Sequence, residues 1–203
     1  KGLGLIFTGY LAWLGASLRW LQNTPGTAWG ALLVVAVVAW VVFRLRRGES
    51  PGQSPIPWRQ VLYSELVFSG AFLAFVLVRL LNPDLWQPWF GGEKMMEIAM
   101  LNAVSRSAYL PPYDPYFAGG TLNYYYYGLY LVSLLGKLTG LPPEISFNLA
   151  VPTFFALTVA HAFVLGSSVL GTGRLRVWQG VCAAALVALV GNLSAAWQYL
   201  GQL

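Results

Sequence analysis

Four of the seven acidic residues in this 203-residue chain, Asp84, Glu93, Glu97 and Asp114, fall in one stretch, 82–123. A carboxylate can act as a general base, ligate a divalent metal or accept hydrogen bonds from a sugar's hydroxyls. Glu93 and Glu97 are four residues apart, so a helix would place them on one face. Glu93 also follows Gly91-Gly92, where a backbone without Cβ can come close to a substrate. The same position near a helix start favours acidic residues for structural reasons alone, so spacing leaves both readings open. Asp114 stands in Tyr113-Asp114-Pro115-Tyr116-Phe117. Asp before Pro is a turn former. It is also a carboxylate framed by rings, and rings can stack on the C–H faces of a sugar. Trp86, Trp89, Phe90, Tyr109, Tyr113, Tyr116 and Phe117 all lie in this stretch, where they would make either a binding wall or an interfacial aromatic belt.

Three cations accompany these carboxylates. Arg79 precedes the stretch, and Lys94 and Arg106 lie inside it. A guanidinium suits a lipid phosphate, and a long basic side chain beside an apolar span also snorkels to the interface. The acidic set is compatible with a divalent metal, whose ligands spacing does not fix. His161 sits in the middle of an apolar run, where it is a functional candidate or a plain helix-to-helix hydrogen bond. No phosphate-binding glycine loop, no G-x-G-x-x-G after a strand, no H-E-x-x-H and no C-x-x-C occurs.

The elements that must position these residues are apolar helices. The chain is 57% hydrophobic and 9% charged, with mean hydropathy +0.60, against roughly 25% charged residues in soluble domains. Apolar runs near the length of a bilayer span, about 20 residues, cover roughly 3–22, 26–43, 61–81, 124–140, 145–170 and 177–200. The expected fold is therefore all-α: a polytopic bundle of about six spans with one long extramembrane loop, 82–123. The whole chain, 1–203, reads as one transmembrane domain. Two spans and a basic linker fill 1–60, and the remainder fills 61–203. It begins at Lys1 and ends in an apolar stretch, which suggests part of a longer protein. Within the loop, 93–107 reads as an amphipathic surface helix with Met96, Met100, Ala103 and Val104 on one stripe. Leu110 to Pro115 cannot be helical. Tyr124 to Tyr127 open the fourth span as an interfacial belt. Gly70, Gly128, Gly136 and Gly166 can let helices approach closely.

The net charge of +5 does not indicate nucleic acid, because Arg44, Arg46, Arg47 and Arg59 cluster between two spans. Such clusters are topogenic or meet anionic head groups. Placing that cluster inside puts 82–123 on the extracytoplasmic face of a cell-membrane protein.

Asn82-Pro83-Asp84-Leu85-Trp86, Gly91-Gly92-Glu93-Lys94, Pro111 through Gly120, Asn123 and Tyr124 to Tyr127 together resemble the "YYY" family of uncharacterised polytopic membrane proteins. The same region is more distantly similar to the start of GT-C glycosyltransferases, in which a span leads into a long external loop with an acidic motif and surface helices. That resemblance implies a polyprenyl-phosphate-linked sugar donor and an active site in 82–123. Glu93 falls at the acidic catalytic position and Asp114 near the second polar cluster, which implies catalytic roles for both. Arg79, Lys94, Glu97, Arg106, Asn123, Tyr124 and Tyr125 would then bind substrate. In two places the chain departs from that pattern: the usual acidic pair is Gly92-Glu93 here, and His-Pro-Pro before the next span is replaced by Asn123 and tyrosines. The rival reading is a non-catalytic transmembrane subunit that packs against membrane lipids and other membrane subunits.

Overall fold

A computed structural model describes residues 1–46, 58–83, 85, 93–169 and 174–190. The described residues are helical apart from turns and one irregular segment. The elements are α1 (Gly2–Ser17), α2 (Pro25–Arg46), α3 (Trp58–Leu80), α4 (Lys94–Arg106), α5 (Tyr127–Thr139), α6 (Pro143–Val169) and α7 (Arg174–Ala185), which runs on into a π-helical turn, Leu186–Val190. Among the described residues, three helices, α2, α3 and α6, are long and apolar enough to cross a membrane. Two shorter apolar helices are Gly2–Ser17 and Leu175–Val190. The 13-residue α5 is about 20 Å long, less than the roughly 30 Å hydrocarbon core, and falls short of spanning length. Here the expected span 124–140 is shortened because Tyr124 to Tyr126 lie before the helix. The result is a helical membrane bundle.

The chain divides into two compact units. The first is Lys1–Gln53 with Pro83–Ala150, and the second is Ser54–Asn82 with Val151–Leu203. In the first unit, α1 buries the small residues Thr8, Gly9, Ala12, Gly15 and Ala16. Small side chains on one stripe allow backbones to close up, which is how helices pack where lipid removes the hydrophobic drive. Ala12, Ala28, Ala31 and Leu134 form the resulting core, with Leu5 and Leu138 against it. The turn after α1 passes through Arg19 in the left-handed region, φ 60°. Its guanidinium lies 5.8 Å from the centre of the Tyr109 ring. Thr24 and Pro25 then start α2: the Thr27 N–H donates to Thr24 Oγ1 at 3.3 Å, and Pro at a first helical position costs no hydrogen bond.

In the second unit, Val159, Phe163 and Ala184 form a core with Val67, Ala71, Phe155 and Val177 around it. The α6–α7 contact depends on two glycines. A Cβ on Gly166 would lie 2.5 Å from Ala183 Cβ, and one on Gly180 would lie 2.8 Å from the Phe163 carbonyl oxygen. By contrast, Gly70 and Gly128 meet nothing within 4 Å among the described residues, so of the four expected close-approach glycines Gly136 and Gly166 make close approaches there.

Candidate functional site

The segment between α3 and α5 is folded where it is described. Asp84, Trp86, Trp89, Phe90, Gly91 and Gly92 lie outside the described residues, as does Arg47 of the basic cluster. From Glu93 onward, α4 buries Ile98, Met100, Leu101, Ala103 and Val104. The expected stripe is thus widened: Ile98 and Leu101 join it, and Met96 is only half-buried. The cause is a helix that packs on α5, which demands a broader apolar face than a single stripe at a surface. Ser105 Oγ donates to Ser133 Oγ of α5 at 2.9 Å.

After α4 the chain turns extended at Ser107 and passes a cis Leu110–Pro111 bond. It then folds back on itself from Pro112 to Leu122. The Leu122 N–H donates to Pro112 O at 2.9 Å, and the Asp114 N–H to Gly120 O at 3.0 Å, with a bridge between Tyr113 and Thr121. Gly119 at φ 79° makes the reversal, a conformation glycine adopts without a Cβ clash.

Asn23 ties this segment to the bundle. Its Nδ2 donates to Val104 O at 2.8 Å and Ser107 O at 3.1 Å, and its backbone N–H donates to Ala108 O at 2.8 Å. Its own carbonyl accepts from Lys137 Nζ at 2.7 Å. The last carbonyls of α4, which have no partner within the helix, are satisfied by a residue about eighty positions earlier in the chain.

The expected site residues divide into three groups. Glu93, the residue just before α4, and Glu97 in its first turn are both exposed, with half-buried Lys94 between them. Arg106 is exposed in the last turn. Asp114 Oδ1 accepts the Tyr116 N–H at 2.8 Å, the local bond of an Asx turn. Asn123, Tyr124 and Tyr125 follow as exposed residues, with the two rings 5.4 Å apart. Arg79 belongs to the second unit, where its Nη1 donates to Asn82 O at 2.9 Å and closes the end of α3. No group of three His, Cys, Asp or Glu side chains placed to hold a metal occurs among the described residues. His161 is exposed on α6.

The tyrosine run is split in function. Tyr126 Oη accepts from Trp13 Nε1 at 3.1 Å, and the Tyr127 ring meets Trp13 edge-on at 5.9 Å. These two tyrosines hold α1 to the start of α5, while Tyr124 and Tyr125 face outward.

Cavities among the described residues of the first unit include two lined by residues other than those carboxylates. One, of about 260 Å³, is bounded by Leu101, Ser105, Ser133, Gly136, Lys137 and Ser146 among others. The other, of about 640 Å³, is apolar and lies between α1 and α2, with Leu11, Leu14, Trp20 and Val34 in its wall. Burial pushes the Lys137 ammonium down to about 8. Reasoning from sequence passes over this lysine and over Asn23. The signal for Lys137 is present, a single cation in the apolar run Leu134 to Leu138; Asn23, in a Gln-Asn-Thr-Pro-Gly turn, gives none.

Apolar helices of spanning length and a folded polar segment define a multi-pass helical membrane protein. Residues 7–203 match the model of an uncharacterised membrane protein family, DUF2298, and the chain belongs to that family. No curated protein and no solved structure matches it.

Proposed function

We propose that this membrane protein is a sugar transferase of GT-C type, whose donor is a sugar on a polyprenyl phosphate and whose acceptor meets the segment around Glu93. The observation that carries this reading is the build of 93–123. Its apolar side is locked into the bundle, while Glu93, Glu97 and the rings of Tyr113, Tyr116, Phe117, Tyr124 and Tyr125 stay exposed. A rigid scaffold presenting carboxylates and aromatic rings suits a hydroxyl-bearing sugar. The resemblance of the Gly91-Gly92-Glu93-Lys94 region to the acidic loop of such enzymes supports the same reading.

In this scheme Glu93 takes the proton of the acceptor hydroxyl. The acceptor oxygen bonds to the anomeric carbon, and the carbon–oxygen bond to phosphate breaks. The electron pair leaves with polyprenyl phosphate. Lys94 and Arg106 lend positive charge to that leaving group, and the rings shield the sugar from water. Asp114 orients the segment's tip, and Glu97 and Asn123 bind sugar hydroxyls. The loop lies on the extracytoplasmic side.

The test is transfer by intact protein in membranes supplied with radiolabelled polyprenyl-phosphate hexoses. Loss of a general base costs about 10²–10⁴ in rate, so Glu93→Gln is expected to fall at least a hundredfold. Transfer at the wild-type rate would remove Glu93 from the base role. A second reading, a non-catalytic subunit beside other membrane helices, is favoured by the open faces of Gly70 and Gly128. It gains if the wild type transfers no label and co-purifies with a partner that Gly70→Leu releases.

A further inference from the structure

The cavity beneath α4 has a chemistry of its own. Its wall contains one cation, Lys137, three hydroxyls, Ser105, Ser133 and Ser146, and no carboxylate. Among the described residues Lys137 has one hydrogen bond, to the Asn23 carbonyl, and no acidic partner. An ammonium has three donors, so two remain to be used. A half-buried charge without a counter-ion is partly desolvated and disfavoured, and a neutral carbonyl compensates it only in part. Ser133 is 3% exposed. Its oxygen accepts from Ser105, which leaves its own proton available to a further acceptor. Ser146, 7% exposed, makes only a long 3.4 Å contact to Leu141 O. A cavity of about 260 Å³ is far above the ~10–15 Å³ needed for one water. The wall thus offers ammonium and hydroxyl donors, and its one charged side chain is positive.

We propose that the cavity walled by Ser105, Ser133, Lys137 and Ser146 binds a phosphate-bearing anion. Lys137 supplies the charge and Ser133 and Ser146 donate to phosphate oxygens. Gly136 shapes the wall: a Cβ there would lie 2.7 Å from Ser146 Oγ, so the α5 backbone comes close enough to bring Ser133, Lys137 and Ser146 to one space. The apolar cavity meets the chain at the same turn, since Pro25 lines one and Thr24, Gly26 and Thr27 line the other. That neighbour gives a hydrocarbon chain a place to lie and favours a phosphate carried by a lipid over a free one. The inference stands apart from Glu93 and the transfer reaction, so either can fail alone.

The experiment uses intact protein in phosphate-free maltoside detergent, with phosphatidylglycerol and inorganic phosphate as the two probes and native mass spectrometry as the readout. Wild type is expected to retain phosphatidylglycerol. Lys137→Met is expected to weaken retention tenfold or more, and Lys137→Arg to restore most of it, which a merely structural tether to a carbonyl would not require. Ser133→Ala leaves that tether untouched and is expected to weaken binding several-fold to tenfold. Where Lys137→Met aggregates, Ser133→Ala and Lys137→Arg decide. Competition by inorganic phosphate identifies the anion alone as the ligand; its absence identifies the lipid-borne form. Equal retention by folded wild type and Ser133→Ala, or no retention of either probe by wild type, would overturn the proposal. Glu93→Gln is expected to bind as wild type does, which separates this site from the transfer chemistry.

Discussion

Replacing Asn23 tests whether one side chain holds the polar segment in place. Its Nδ2 serves two carbonyls, Val104 O at 2.8 Å and Ser107 O at 3.1 Å, from a site only 9% exposed. Asn23→Ala removes both bonds and strands carbonyls at the end of α4. A net intramolecular hydrogen bond is worth about 1 kcal/mol, and each stranded buried group costs about 1–3 kcal/mol. Ser107 is half-buried and can recruit water, so the expected total is about 2–4 kcal/mol. That energy belongs to a local opening of 98–123, because neither α3 nor α6 loses a partner. Every 1.4 kcal/mol is a factor of ten, so amide exchange across this segment should rise by roughly 30- to 1000-fold. Hydrogen–deuterium exchange on the intact protein reads this directly, with α6 and α7 as internal references. Asn23→Leu is the control for shape, since it fills similar space with no donor. If the hydrogen bonds matter, Leu exchanges as fast as Ala. Wild-type exchange in Asn23→Leu would show that packing, not donation to the two carbonyls, secures the segment, and the reasoning would fail.

Gly180→Val should disrupt the α6–α7 contact by about 1–3 kcal/mol or more, because the new side chain would meet the Phe163 carbonyl, which cannot rotate away; thermal unfolding in detergent checks it, and Gly70→Ala, with open space at its Cβ, should be neutral or slightly stabilising. The pH dependence of phosphatidylglycerol binding provides a further check. Burial holds free Lys137 at about 8, so binding is fully supported by charge below that pH. It should fall as pH rises through 8, since the ammonium must then be recharged on binding, whereas Lys137→Arg should give a flat profile. A flat profile in the wild type would separate Lys137 from the anion.

Composition and period were enough to identify helices, their approximate ends and the polar segment between α3 and α5. They were not enough to say which apolar face meets protein. In lipid both outcomes suit the same residues, because hydrocarbon tails are as apolar as leucine. The helix α3 buries none of its residues, while α1 buries a five-residue stripe. The stripe, Thr8 to Ala16, was visible as small residues but carried no label for its partner. The tyrosine run shows the same gap. Four consecutive rings read as one belt, yet Tyr126 and Tyr127 grip Trp13 and only Tyr124 and Tyr125 stay outside. Asn23 was illegible for a different reason. Its partners stand 81 and 84 positions away, and a lone Asn in a turn gives no hint of them. Glu93, Glu97 and Asp114 were legible as residues, but the exposure of the two glutamates on a folded platform and the turn that holds half-buried Asp114 were not.

Exposure and rigidity together constrain how the carboxylates can work. Glu93 directly precedes, and Glu97 lies in the first turn of, a helix whose Leu101, Ala103 and Val104 are fully buried. Their positions are therefore set by packing on α5 and by Asn23, and not by bonds the carboxylates make themselves. Substituting them should leave the fold intact, and substituting Asn23 or Leu101 should displace them without changing their chemistry. A transfer reaction that depends on Glu93 must then fail in two distinguishable ways. Glu93→Gln should lose rate with native exchange behaviour, and Asn23→Ala should lose rate in proportion to the opening of the segment. Loss of rate on Asn23→Ala with unchanged exchange would mean that Asn23 touches the substrate itself.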